Sequence, residues 1–485
     1  MVERLLRFID TGQQQPPKRA ADERAQDFLE IARPYAAARA GEQASRCSQC
    51  GVPFCQIHCP LQNNIPDWLR LTAEGRLREA YELSAATSTM PEICGRICPQ
   101  DRLCEGHCVI ETAGFGSVTI GAIEKHLSDT AWAEGWIEPL VPSAYRKHQS
   151  VGIIGAGPAG LTAAELLREA GYSVDVYDRH DRAGGLLTYG IPGFKLEKEV
   201  VARRVQRLVD GGIRFHLGVD VGRDLTLAQL RSRHDAVLIA CGVYRAKALD
   251  GSIAPGVVPA LDYLIAATRI GFGERVAAFE SGALDARAKR VVVLGGGDTA
   301  MDCVRTAVRQ GAASVTCLYR RDRLNMPGSQ REVAHAEEEG VRFEWLAAPA
   351  GFDSDSDGRI TAVRARRMRL GAPDAGGRRS VQPVGDSFVE PADLVIAALG
   401  FDAEPLQAWD PGLELTRWGT VRAAFPKLTT SLPGVFAAGD IVRGASLVVW
   451  AVRDGREVAK AIGAYLAEAV AVGAAAEPVT AAACG

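Results

Sequence analysis

Twice along the chain an apolar strand runs into a glycine-rich turn, a helix and a second strand. This repeated unit restricts the fold more than any other feature. The first copy is SVGIIGAGPAGLTAAELLREAGYSVDVYDR, Ser150–Arg179. Its strand (151–154) leads into Gly155-x-Gly157-x-x-Gly160, with Pro158 and Ala159 at the helix start; a helix (161–170) follows, and a second strand (173–177) ends at Asp178. In such a unit the first glycine makes the tight turn, the second lets the backbone approach a pyrophosphate, and the third lets helix pack on strand. The diphosphate rests on the helix N-terminus, where free amides and the dipole favour an anion. Asp178 stands about twenty residues after the first glycine, where a carboxylate meets a ribose hydroxyl. A plain βαβ turn is the bland alternative, but strand, turn, helix, strand and acid are all in place.

The second copy is KRVVVLGGGDTAMDCVRTAVRQGAASVTCLYRRDR, Lys289–Arg323. Gly295-x-Gly297 is followed by Asp298, Thr299 and Ala300, and alanine at the third position still allows close packing. The end of the second strand differs: where the first unit has Asp178, this one has Arg320 and Arg321, with Arg323 beyond. A carboxylate repels a 2′-phosphate, whereas a guanidinium binds it bidentately. The second unit is therefore expected to take NADP rather than NAD, against the alternative of a solvated basic loop. Two sites of unlike preference suggest one flavin and one nicotinamide.

Eight of the 12 cysteines fall in one short stretch. The first group is Cys47-x2-Cys50-x4-Cys55-x3-Cys59-Pro60, the second Cys94-x3-Cys98-Pro99-x4-Cys104-x3-Cys108. Disulfides need an oxidising compartment, and the N-terminus, MVERLLRFID, lacks a signal-peptide core. Structural zinc prefers paired C-x2-C knuckles, and only Cys47/Cys50 has that spacing. Iron–sulfur ligation fits best: the first group is the bacterial C-x2-C-x2-C-x3-C-P run with two residues added. In that run the fourth cysteine ligates the other cluster. Hence Cys47, Cys50, Cys55 and Cys108 are expected at one 4Fe-4S cluster, and Cys59, Cys94, Cys98 and Cys104 at another. Cys241, Cys303, Cys317 and Cys484 are scattered and mostly read as small buried hydrophobes. A flavin accepts hydride from a nicotinamide and releases electrons singly to such clusters, so no protein base or nucleophile is required, and no triad-like or HExxH pattern is present. His58 and His107 lie beside cluster cysteines without metal-site spacing of their own. The arginines of RITAVRARRMRL (359–370) alternate as in a strand with a solvated face.

The net charge of −3 offers no general attraction to nucleic acid or anionic lipid. No uncharged apolar run reaches the ~20 residues of a membrane helix, so a soluble, cytoplasmic protein is expected. The chain divides into a helical iron–sulfur domain (1–145) and two nucleotide folds. Helical pattern in the first domain includes Asp67–Ala86, and the polar, proline-bearing stretch Glu138–Ser150 reads as a linker.

The series CSQCGVPFCQIHCPLQNNIPDWL (47–69), ICGRICPQDRLCEGHC (93–108), IIGAGPAGL (153–161), GGLLTYGIPGFKL (184–196), LGGGDTAMDCVRTA (294–307), YRRDRLNMPGSQREV (319–333) and VFAAGDIVRGASLVVWAVRDGREVA (435–459) resembles the small (β) subunits of bacterial NADPH-dependent glutamate synthases. The iron–sulfur module is also similar to the N-terminal part of dihydropyrimidine dehydrogenase, and the nucleotide domains resemble adrenodoxin reductase. The resemblance implies an α/β fold with two Rossmann-like domains, FAD at the first and NADPH at the second. It implies an NADPH domain (251–400) inserted between two parts of the FAD domain (146–250 and 401–485), with VLIACG (237–242) and LVIAALG (394–400) as crossover strands. It sets Gly185 and Leu186, and the Gly439–Asp440 pair, against the flavin, with the helix start at 449–458 facing the isoalloxazine. Electrons would pass through two 4Fe-4S clusters to a large (α) subunit that carries FMN and glutaminase activity and makes glutamate from glutamine and 2-oxoglutarate; nothing in this chain resembles a glutaminase. A stand-alone NADPH:acceptor oxidoreductase feeding a ferredoxin-type carrier is the alternative, and a colourless cysteine-rich scaffold a more distant one. Finally, the resemblance to dihydropyrimidine dehydrogenase puts Glu124 where that family has a glutamine ligand, so Glu124 competes with Cys94 for the second cluster. Thiolate is the softer iron partner, and the bland reading makes Glu124 a helix-surface residue.

Overall fold

The computed structural model describes residues 6–141, 143, 147–247, 256–374 and 379–476. Pro142 and residues 144–146 of the expected linker, the boundary expected at 250/251, and Cys484 lie outside them.

Both glycine units head five-stranded parallel sheets of the same design. In the first, the strand order is Val435–Ala437, Ala236–Ile239, Ser150–Ile154, Ser173–Asp178, Arg214–Leu217. In the second it is Val257–Pro259, Leu394–Ala397, Arg290–Leu294, Ser314–Tyr319, Arg342–Trp345. The strand before each glycine turn is central and buried, as its run of apolar residues and glycine requires for a sheet covered on both faces. The last strand of the first sheet arrives only after the whole second sheet, so the second fold is inserted into the first. The helix Val448–Ala476 then packs on the helix Pro158–Glu169.

A three-stranded antiparallel sheet (Ala347–Ser354, Ile360–Pro373, Arg379–Pro391) extends the second fold. Its central strand carries the arginine-rich alternation: Ile360, Ala362, Val363 and Ala365 are buried, whereas Arg364, Arg366, Arg367 and Arg369 are exposed. Arg364 pairs with Asp353 and Arg367 with Glu344.

The N-terminal domain is helical. The expected helix over 67–86 is two helices, Ile65–Ala73 and Leu77–Ala85. Gly75 breaks it with φ 77°, a left-handed turn that glycine adopts without steric cost. Trp68, fully buried, donates its indole N–H to Asn63 at 2.9 Å.

Buried charge knits the three modules together. Glu92 of the N-terminal domain accepts two bonds from Arg204 of the first fold (2.8 and 3.1 Å), both side chains being almost wholly buried. The helix Gln330–Glu338 of the second fold is held from several sides. Arg331 bonds Glu105, Asp101 accepts from Ser329 and Gln330, and Lys18 and Arg24 pair with Glu338. Arg24 also pairs with Glu339 at 3.1 Å.

Candidate functional site

A cavity of about 830 Å³ runs between the modules. From the first fold it is lined by Gly155, Gly157, Pro158, Ala159, Asp178 and Leu186. Gly439, Asp440 and the 446–449 turn close it, and Asp298 and Thr299 enter from the second fold. The predicted residues Gly160, Gly185, Gly295, Gly297, Ala300, Arg320 and Arg321 are not part of its wall. A volume in this range suits a large organic ligand.

The glycines divide as the fingerprint requires. Gly155 has φ 106°, and a Cβ on it would stand 2.4 Å from the Ala240 carbonyl oxygen. A Cβ on Gly160 would stand 2.0 Å from the Gly155 carbonyl oxygen. Around Gly157 and Gly297 nothing lies within 4 Å of the position of a Cβ. Each second glycine therefore faces open space at a helix N-terminus, a cradle that a side chain would fill and a diphosphate fits. Gly185, at φ 53°, lies where a Cβ would stand 2.9 Å from the Gly157 Cα.

Asp178 is buried and fixed by backbone donors: its carboxylate accepts from the Ala156 amide at 2.7 Å and the His180 amide at 2.8 Å. Asp440 accepts from the Ser446 hydroxyl at 2.6 Å, and burial pushes its carboxyl up to about 6. At the second fold the loop after the strand Ser314–Tyr319 folds back over the turn, with the Gly328 amide on the Gly296 carbonyl and the Ser329 amide on Asp298. Arg320 is exposed. Arg321 donates to the Arg379 carbonyl at 3.3 Å and keeps its Nε buried without a partner. Arg323 is engaged with Glu337 and Gln330.

The thiols gather in two sets. Cys47, Cys50, Cys55 and Cys108 line one small pocket with Phe54, Leu69 and Ile110. Cys59, Cys94, Cys98 and Cys104 lie near one another, as their mutual electrostatic influence records. Burial pushes Cys47 and Cys59 up to about 11 and Cys55 up to about 12, so these thiols keep their protons at neutral pH unless a bound metal displaces them. Among the described residues no three Cys, His, Asp or Glu side chains converge as a lone ion requires. A cluster with its own bridging sulfides suits such sets better than zinc. Cys94, with Cys59 and Cys98 against it, belongs to the core of the first nucleotide fold, while Cys108 and Cys104 belong to that of the N-terminal domain. Cys98 and Pro99 also line the large cavity. Glu124 is no surface residue: it is partly buried beside Cys59, Cys98 and Cys104, accepts from Ser84 at 3.3 Å, and burial pushes its carboxyl up to about 8. The His58 and His107 rings stack at 3.5 Å, tying together the segments that carry Cys59 and Cys108. Cys303 and Cys317 are buried as expected; Cys241 is partly buried and lines the large cavity.

Sequence reasoning missed several cavity residues: Lys195, Tyr244, Asp302 and Glu332. Lys195, Asp302 and Glu332 fall inside segments that carried the family resemblance, which was the one signal available for them.

Comparison with known proteins agrees with this architecture. Residues 24–136 match the family described as dihydropyrimidine dehydrogenase domain II, 4Fe-4S cluster, and residues 149–455 match pyridine nucleotide-disulphide oxidoreductase. The chain is 61% identical over 468 residues to the glutamate synthase (NADPH) small chain of Azospirillum brasilense, covering 96% of each. It is 47% identical to that of Escherichia coli (strain K12), covering 95% of this chain and 99% of the relative. Among solved structures, FprA of Mycobacterium tuberculosis in complex with NADPH shares the fold at TM-score 0.57 and 21% identity, over 68% of this chain and 87% of that one.

Proposed function

Because the chain belongs to the family of NADPH-dependent glutamate synthase small chains, we propose that it oxidises NADPH through FAD and passes the electrons through two 4Fe-4S clusters to a large subunit. A bound flavin supplies the chemistry, taking hydride as a pair of electrons and releasing them one at a time. The protein's residues bind, orient and insulate. Gly155, Gly157, Pro158, Ala159 and Gly160 hold the FAD diphosphate, Asp178 the ribose, and Gly185, Leu186, Gly439 and Asp440 the remainder. Gly295, Gly297, Asp298, Thr299 and Ala300 hold the NADPH diphosphate, and Arg320 and Arg321 its 2′-phosphate. Cys47, Cys50, Cys55 and Cys108 ligate one cluster. Cys59, Cys98 and Cys104 ligate the other, completed by Cys94 or Glu124; the seat of Glu124 among these thiols supports it as a ligand.

The observation that carries this reading is the shared wall of the large cavity. Cys98 lines the same space as Gly157 and Val449, whereas Cys47, Cys50, Cys55 and Cys108 line a separate small pocket and none of them is on that wall. This supports the linear order NADPH, FAD, inner cluster, outer cluster, acceptor. The acceptor we infer is the large subunit, carrying FMN and glutaminase activity, in a cytoplasmic complex that makes glutamate from glutamine and 2-oxoglutarate. No helix among the described residues is long and apolar enough to cross a membrane. The test is Cys50→Ala. Rapid mixing with NADPH is expected to bleach its flavin at the wild-type rate while reduction of the large subunit is lost. A folded, flavin-loaded variant whose flavin stays oxidised would refute the order.

A further inference from the structure

Three charged side chains from separate segments meet on the cavity wall, and the function above gives none of them a task. Lys195, in the loop after Gly184–Gly190, donates to Asp302 at 2.9 Å and stands 3.6 Å from Glu332. Asp302 belongs to the helix that follows the second glycine turn, and Glu332 to the helix Gln330–Glu338. Glu332 also accepts from Arg305 at 2.7 Å and contacts His335 at 3.2 Å. The three side chains are only 13%, 8% and 15% exposed, and all line the cavity that holds Gly157, Val449 and Asp298.

The loop bearing Lys195 has a second anchor beside this trio. Its neighbour Phe194 is buried, with the Arg305 and Arg309 guanidiniums 4.5 and 4.0 Å from its ring. Lys195 is thus a preset cation on the flavin-side loop, seated against carboxylates of the nicotinamide-side fold. Structural ion pairs gain little from lining a cavity, and a buried pair is weak evidence for stability. Placement on the wall shared by both nucleotide folds points to the cofactors instead.

We propose that Lys195 is a positioning residue for hydride transfer, anchored by Asp302 and Glu332 so that its ammonium holds the two nucleotide folds in register and favours the reduced flavin. This rests on the FAD and NADPH assignment above. In the step concerned, NADPH gives up a hydride and becomes NADP⁺. The flavin gains two electrons and one proton, and its ring acquires one negative charge. A fixed cation at the cavity wall stabilises that charge, and neutralising carboxylates temper it.

The test is the midpoint potential of the bound flavin, measured in the purified holoenzyme by dye equilibration, for Lys195→Met, Lys195→Arg and Asp302→Asn. Lys195→Met is expected to make reduced flavin about tenfold less favoured, roughly 30 mV for a two-electron couple. Lys195→Arg should stay within about threefold of wild type. Asp302→Asn removes a neutralising charge and should shift the potential upward, and it keeps the inference testable where Lys195→Met does not fold. Opposite signs for the two substitutions are what a merely structural contact would not give. A wild type that holds no flavin, or a flavin that NADPH does not bleach, overturns the assignment of the site and this inference with it. A wild type that bleaches, beside a Lys195→Met variant of unchanged potential or an Asp302→Asn variant of lowered potential, overturns the Lys195 inference alone.

Discussion

The two nucleotide folds share a strand order and a glycine turn and differ in the side chains that follow. In both, a Cβ on the first glycine would strike the carbonyl of the residue just after the neighbouring crossover strand, Ala240 at 2.4 Å in one and Ala398 at 2.3 Å in the other. In both, the second glycine faces open space. The second strand then ends on a buried, amide-bonded Asp178 in one fold and is followed by Arg320 and Arg321 in the other. The backbone geometry is common to both folds, and the proposed choice of nucleotide rests on one or two side chains beyond it.

The largest test of this contrast is Arg320→Ala with Arg321→Ala. Losing charge-assisted bonds of about 1.5–3 kcal/mol should lower kcat/KM for NADPH roughly ten- to hundredfold. The value for NADH should stay within about threefold, and equal losses for both cofactors would mean the arginines do not read the phosphate.

The acidic side of the contrast has a pH signature. Burial puts the Asp440 carboxyl at about 6, against 3.8 in the unfolded chain. A raised carboxyl favours folding fully below the unfolded value, and that contribution is lost as pH rises through 6. Asp440→Asn is therefore expected to be more resistant to urea at pH 8, by on the order of 1–3 kcal/mol, with the gap closing as pH falls toward 4. A gap that does not change with pH would show that the carboxyl keeps an ordinary affinity for protons.

The third position of the turn separates the folds by less. Gly160→Ala drives a methyl into the Gly155 carbonyl, an overpacking expected to cost about 1–3 kcal/mol in thermal unfolding and to weaken flavin retention. Ala300 already carries its methyl in a fully buried position. Ala300→Gly should cost only about 0.5–1 kcal/mol, the helix penalty of glycine. Similar losses at both positions would remove the packing distinction.

Local pattern carried the glycine units to within a residue or a few at each element, because strand, turn and helix are written in contiguous residues. That Cys108 lies with Cys47, Cys50 and Cys55 follows the spacing read with the crossing of the fourth cysteine. The Gly75 break was missed because helical periodicity continues on either side of it. Lys195, Asp302 and Glu332 were missed because the nearest two are 30 residues apart in sequence and a single lysine or glutamate has no pattern of its own. Glu124 was legible as a position but not as a buried one, since its seat depends on where the helix Ile120–Ala133 packs.

Arg24 has a consequence for how the chain is made. It is 1% exposed, and its counter-charges are Glu338 and Glu339, more than 300 residues later in synthesis. Until those residues emerge the guanidinium lacks both counter-charges, and burying it alone would cost several kcal/mol. Arg24 therefore reaches its final seat only once the second nucleotide fold is present. An isolated fragment ending near residue 140 would retain that open charge, and the non-local contact slows maturation of the whole chain.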